Sequence, residues 1–178
     1  MLNPIDLYFF RHIPHFSSPI LHIFTAFADP KIHLFIWGLI SLILFFRKKG
    51  NIVLTKPFYF FTLTNGIMLF CGVLKILFGR ARPFLLEKQI VGYKFFTLED
   101  PYLSFPSSHT AMAAALSFSI YKLFKCSPSI LIFPIGIMAT RLFLREHFFS
   151  DVIVGFCIGL ILSLVTEKGF AYKKKLRG

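Results

Sequence analysis

Residues 56–78 read KPFYFFTLTNGIMLFCGVLKILF, and residues 79–83 continue GRARP. Charge appears in the first stretch only as Lys56 and Lys75, near its two ends. An apolar run of this length meets the requirement of about 20 residues for a helix crossing a bilayer core. The run ends in a cluster of cations rather than in a turn of neutral residues. Apolar runs recur at 17–29, 32–46, 108–124, 128–145 and 149–167, the first of them broken by Asp29-Pro30. The reading is all-α: a polytopic membrane helical bundle with about six transmembrane helices. Residues 4–16 are expected to add a short amphipathic segment at the interface. Residues 1–178 are read as one membrane-embedded domain.

Composition supports this. The chain has 178 residues, 56% hydrophobic, with 25 phenylalanines and a net charge of +12. The apolar fraction excludes a disordered chain. The basic residues stand in short clusters between apolar runs, which argues against a soluble nucleic-acid binder. Cys71, Cys126 and Cys157 form no paired motif and read as free thiols. The first residues lack the basic start and small-residue cleavage site of a signal peptide.

Six spans would place both termini on one side. Arg11, Arg47, Lys48, Lys49, Lys56, Lys122 and Lys125 share that side with the tail, TEKGFAYKKKLRG. The positive-inside rule makes it cytoplasmic. Lys31, Lys75, Arg80, Arg82, Lys88, Lys94, Arg141 and Arg145 then face outward. Arg80 and Arg145 read as surface or headgroup contacts. Gly155-x3-Gly159 fits a close helix contact within a monomer, with a dimer left open.

Three stretches at the ends of apolar runs carry chemistry: KILFGRARP, FPSSHT and RLFLREHFFSD. Ionisable residues at membrane depth mark function by default. Lys75, Arg82 and Arg141 offer donors to an oxyanion, arginine through its planar fork. Ser107 and the backbone N–H groups at Ser108 and His109 lie at a helix start, where an anion is favoured. His147 and Asp151 are four apart, so on a helix they would share a face. A carboxylate there would orient the imidazole. Two histidines and three cations describe phosphoryl transfer, one histidine attacking phosphorus and the other protonating the leaving oxygen.

These blocks resemble the type 2 phosphatidate phosphatase superfamily. Lys75-x6-Arg82-Pro83, Pro106-Ser107-Ser108-His109 and Thr140-Arg141-x5-His147-x3-Asp151 are similar, in order, to its K-x6-RP, PSGH and SR-x5-H-x3-D signatures. The resemblance implies His147 as nucleophile, Asp151 as its orienting carboxylate and His109 as acid and then base. It implies that Lys75, Arg82, Ser107, Ser108 and Arg141 hold the phosphate, with no cofactor and no metal ion. Ser108 stands in place of the usual glycine and Thr140 in place of serine.

The implied substrate is a lipid phosphate: undecaprenyl diphosphate, phosphatidylglycerophosphate, phosphatidate or lipid A 1-phosphate. The implied location is a bacterial inner membrane, with the site on the periplasmic face. Membrane lipids are the expected partners, and nucleic acid is not one. A lipid-to-lipid phosphotransferase on the same site and a non-catalytic lipid binder are the alternatives. His12, His15, His22 and His33 have no such neighbours in sequence and read as structural.

Overall fold

The computed structural model describes residues 3–47 and 56–175. Its α-helices are α1 (Pro4–His12), α2 (Pro19–Ala26), α3 (Pro30–Arg47), α4 (Lys56–Phe78), α5 (Ser108–Phe124), α6 (Phe133–Phe143) and α7 (Phe149–Lys175). Short 3-10 turns cover Pro83–Lys88, Asp100–Tyr102 and Pro128–Ile132. Pro4, Pro19 and Pro30 open their helices, where a missing N–H leaves no bond unmade. Asn3 and Ser18 cap α1 and α2 with their side chains.

Among the described residues, three helices are long and apolar enough to cross a membrane: Pro30–Arg47, Lys56–Phe78 and Phe149–Tyr172. α5 is shorter and lies at the centre, with Ala111, Met112, Ala113 and Ala115 fully buried. α5 packs most extensively on α7. Their close approach depends on Gly155 and Gly159. A Cβ at these positions would stand 2.4 Å from Ser107 O and 2.1 Å from Ala111 O. α4 closes the core with Tyr59, Phe60, Leu63 and Ile67, and Trp37 of α3 stacks on Phe60. At the end away from Lys75, Tyr59 Oη meets Ser119 Oγ at 2.9 Å, and Ser119 meets Ser163 at 2.8 Å. This polar clasp ties α4, α5 and α7 together where apolar packing alone would let them slide. All three cysteines are free.

Two expectations about topology are corrected. The 17–29 run is not a span: α2 has 8 residues, a rise of about 12 Å. The chain enters it beside Phe143, where Phe16 N–H donates to Phe143 O. Phe24 then packs on Phe133 and Gly136, a few turns back along α6. The chain returns to the starting end at Asp29, within 3.9 Å of His109. α3, α4, α5, the Pro128–Phe143 stretch and α7 each run between the two ends of the bundle, and α2 does not.

α1 and the far end of α7 therefore lie at opposite ends of the bundle. α1 is held at the same end as Lys75 and Asp151, through Asp6, whereas α7 carries the chain about 36 Å away from Asp151. Arg11 moves to the site side, which reduces the basic excess of the far side without reversing it. Lys48, Lys49 and Arg177, counted on that far side, lie outside the described residues, as do the side chains of Lys173, Lys174 and Lys175.

Candidate active site

The loop from Gly79 to Ser107 folds back over the end of α4. Gly79 takes φ +50, and a Cβ there would collide with Lys94 O at 1.7 Å, so the reversal needs glycine. The tip of this loop is apolar, with Phe95, Phe96 and Leu98 among its most exposed residues. Its return limb passes Lys75, which donates from the last turn of α4 to Leu103 O at 2.5 Å and Ser104 O at 3.5 Å.

A cavity of about 330 Å³ opens here. Lys75, Arg82, Ser108, His109, Arg141 and His147 all line it, together with Asp29, Asp100 and Glu146. Residues far apart in sequence thus converge on one volume. Arg82 donates to Asp100 through Nε and Nη2, each at 3.0 Å, and to Glu146 Oε2 through Nη1 at 2.8 Å. Arg141, in the last turn of α6, donates through Nη2 to the same Glu146 oxygen, and its buried Nε has no partner. His109 is the second residue of α5, and its Nε2 faces Asp29 Oδ2 at 3.9 Å. Oδ1 of that aspartate caps the start of α3 through Lys31 N–H at 2.8 Å.

Ser107 does not line the cavity. It is fully buried, and its Oγ caps α5 by accepting from Thr110 N and Thr110 Oγ1. Ser108 does line it, so the side chain standing in place of glycine borders the proposed phosphate volume.

His147 and Asp151 meet, but not as a pair on one helix face. His147 precedes α7, in the turn after α6, and Asp151 lies in the first turn of α7. Asp151 Oδ2 accepts the Phe148 N–H at 2.8 Å, which caps the helix and folds the preceding histidine back over the carboxylate. His147 Nδ1 lies 3.7 Å from Asp151 Oδ2, and no closer partner satisfies it. Burial, reinforced by Lys75, Arg141 and Arg82, holds the His147 pKa well below its ordinary value. The ring is therefore neutral at neutral pH, the form in which a ring nitrogen keeps a free lone pair.

The surface reading of Arg80 is overturned. Arg80 is 4% exposed and bridges two buried carboxylates. Its Nη1 donates to Asp151 Oδ1 at 2.5 Å and its Nη2 to Asp6 Oδ2 at 2.6 Å. Asp6 also accepts from Ser150 N and Ser150 Oγ, and Ser104 Oγ donates to Asp151 Oδ2 at 2.6 Å. Burying a guanidinium is tolerable only with such pairing. The expected interfacial segment is therefore a docked helix: Phe9 stacks on Phe149 at 3.9 Å, and Asp6 points inward. Arg145 is half-buried over the Phe10 ring, 3.8 Å from its centroid, rather than a headgroup contact. Asp6, Asp29, Arg80 and Glu146 were missed as site residues. The one available signal was a lone acid, Asp6, in the apolar stretch PIDLYFF. No group of three or more His, Cys, Asp or Glu residues among those described is arranged to hold a metal ion.

A helical membrane bundle with a cationic, histidine-bearing cavity at one end has the parts of a membrane lipid phosphatase. Residues 56–175 match the PAP2 superfamily, and the chain belongs to it. The chain is also similar in fold to the crystal structure of Aquifex aeolicus LpxE, with a TM-score of 0.61 and 21% sequence identity. That likeness covers 93% of this chain and 96% of the other. Among curated proteins, no sequence matches at a significant level.

Proposed function

We propose that the protein hydrolyses the phosphate monoester or terminal phosphate of a membrane lipid, through a phosphohistidine on His147. The observation that carries this reading is the convergence of Lys75, Arg82, Arg141, His109 and His147 on one cavity. With Nδ1 turned to Asp151, Nε2 of His147 is the nitrogen available to attack phosphorus. As the N–P bond forms, the P–O bond to the lipid breaks and His109 supplies the proton to the departing oxygen. Water then attacks phosphorus, His109 takes its proton, and the P–N bond breaks to release inorganic phosphate. Lys75, Arg82 and Arg141 stabilise the charge on the phosphoryl oxygens, and the reading routes no step through a metal ion.

Met68 and Gly72 extend the cavity wall along α4 before Lys75, and Pro30 of α3 also lines it. A Cβ on Gly72 would meet nothing within 4 Å. This open apolar wall suits a lipid chain entering between α3 and α4 with its phosphate uppermost. The candidate substrates are undecaprenyl diphosphate, phosphatidylglycerophosphate, phosphatidate and lipid A 1-phosphate. Purified protein at matched detergent concentration should release phosphate from at least one of them, with initial rates differing by an order of magnitude or more. Release from none would remove the reading.

The proposed setting is a bacterial inner membrane, with the site periplasmic, the C-terminal tail cytoplasmic and the protein monomeric. A cysteine at Lys88, in a chain freed of native cysteines, should react with an impermeant thiol reagent in intact cells. Protection at Lys88 with labelling near Lys168 would invert the orientation.

A further inference from the structure

Glu146 has no place in the mechanism above, yet its carboxylate lies within the cavity that mechanism uses. A single oxygen, Oε2, accepts one N–H from Arg82 and one from Arg141. Those two arginines come from different elements, one after α4 and the other on α6. A phosphate held by both would place an oxygen in the same position, because guanidinium groups present the same donors to carboxylate and phosphate. The backbone of Glu146 is pinned, its N–H on Arg141 O at 3.2 Å and its carbonyl accepting from Ser104 Oγ at 3.4 Å. Its side chain is 30% exposed and borders the open volume. It can therefore leave the arginines without unfolding the turn that carries His147.

The two arginines do not depend on Glu146 equally. Arg82 keeps both contacts to Asp100 without it. Arg141 is a buried cation whose side-chain nitrogens have Glu146 as their hydrogen-bond acceptor among the described residues, and its Nε is unpartnered. Such a group binds the nearest anion strongly and cannot stay empty at low cost. In the free protein that anion is Glu146.

We propose that Glu146 is a tethered anion in the phosphate subsite, displaced by the incoming substrate phosphate and returning to the arginines as inorganic phosphate leaves. The proposal rests on the reading of this cavity as a phosphate site. Glu146 would thereby lower the affinity of the pocket for every phosphate it holds. The effect grows with ligand charge, so a diphosphate is penalised more than a monophosphate. It selects on charge and speeds product release, and it touches neither the attacking nitrogen nor the leaving oxygen.

The test is titration calorimetry of detergent-solubilised protein with inorganic phosphate and, separately, inorganic pyrophosphate, at fixed ionic strength. Glu146→Gln keeps the size of the side chain and removes its charge. It should lower the Kd for phosphate by about tenfold and that for pyrophosphate by more. Glu146→Ala should tighten binding in the same direction, which guards against a fault peculiar to the amide. Arg141→Gln is the control on the pocket itself. If Arg141→Gln loses phosphate binding while both Glu146 variants bind as the parent does or more weakly, Glu146 merely aligns the arginines and the proposal is overturned with the phosphate site intact. If Arg141→Gln binds phosphate as well as the parent, the cavity is not the phosphate site and the proposal falls with it.

Discussion

Replacing His147 with alanine is expected to reduce lipid phosphate hydrolysis by about 10⁴-fold or more, leaving only what the cationic pocket contributes by binding. The size follows from the role: no neighbouring side chain can take over attack on phosphorus once the imidazole is gone. The nearest other imidazole, His109, enters from α5 and is turned by Nε2 toward Asp29. His109→Ala should fail differently. It removes the proton donor for an alkoxide leaving group, a loss of about 10²–10⁴-fold, and also the base that activates water. A substrate whose leaving group needs no proton should then still phosphorylate His147, and the phosphoenzyme should accumulate. Acid-labile, base-stable phosphate on the His109→Ala protein, absent from a His147→Ala/His109→Ala double variant, is the expected pattern. Activity of the His147→Ala protein within tenfold of the parent would show that phosphorus is attacked by another group.

The cations and histidines of the cavity were legible because each sits at a fixed offset from the end of an apolar run. Lys75 and Arg82 follow one helix, His109 starts another, and Arg141 and His147 bracket a turn. Local periodicity places such groups at one membrane face, and the structure gathers them there. α5 has the boundaries of the run 108–124 and α4 ends where the run 56–78 ends, since strong breaks stand there: Gly79 after one, Ser107 and Lys125 around the other.

What escaped was decided across long stretches of chain. The bond from Arg80 to Asp6 joins residues 74 apart, and that from Ser150 to Asp6 joins residues 144 apart. Nothing in PIDLYFF says which face Asp6 turns inward. Arg80 and Arg82 look alike in GRARP, yet one is buried in a structural bridge and the other lines the cavity. The assignment of His147 and Asp151 to one helix face erred because spacing alone cannot distinguish a continuous helix from a turn capped by the aspartate. The 17–29 run read as a span for a related reason. An apolar run states how greasy a segment is, and tertiary packing of Phe24 on Gly136 decides that it turns back.

The Asp6–Arg80–Asp151 bridge supplies the second large effect, and it ties the N-terminal helix to the chemistry. Arg80→Leu should destabilise the protein by about 3–5 kcal/mol, because it strands two carboxylates in the interior with no cation between them. Asp6 is 1% exposed and Asp151 is fully buried, so water cannot replace the lost guanidinium without opening the structure. Asp6→Ala should cost less, since Arg80 keeps Asp151 and Ser150. The pair should be strongly coupled. In a double-mutant cycle followed by thermal unfolding in detergent, the Asp6→Ala/Arg80→Leu protein should be more stable than the sum of the single changes predicts, by at least about 1 kcal/mol. Arg80→Lys should not rescue the single variant, because one ammonium cannot donate in two fixed directions as the two Nη atoms do. Asp6→Asn keeps an acceptor for Ser150 and should fall between the parent and Asp6→Ala. The same variants should lose activity in step with the disturbance at Asp151, which depends on Arg80, Ser104 and the Phe148 N–H to hold its carboxylate beside His147. Additive single changes, or an Asp6→Ala protein as stable and as active as the parent, would mean that α1 only covers the site and does not brace it.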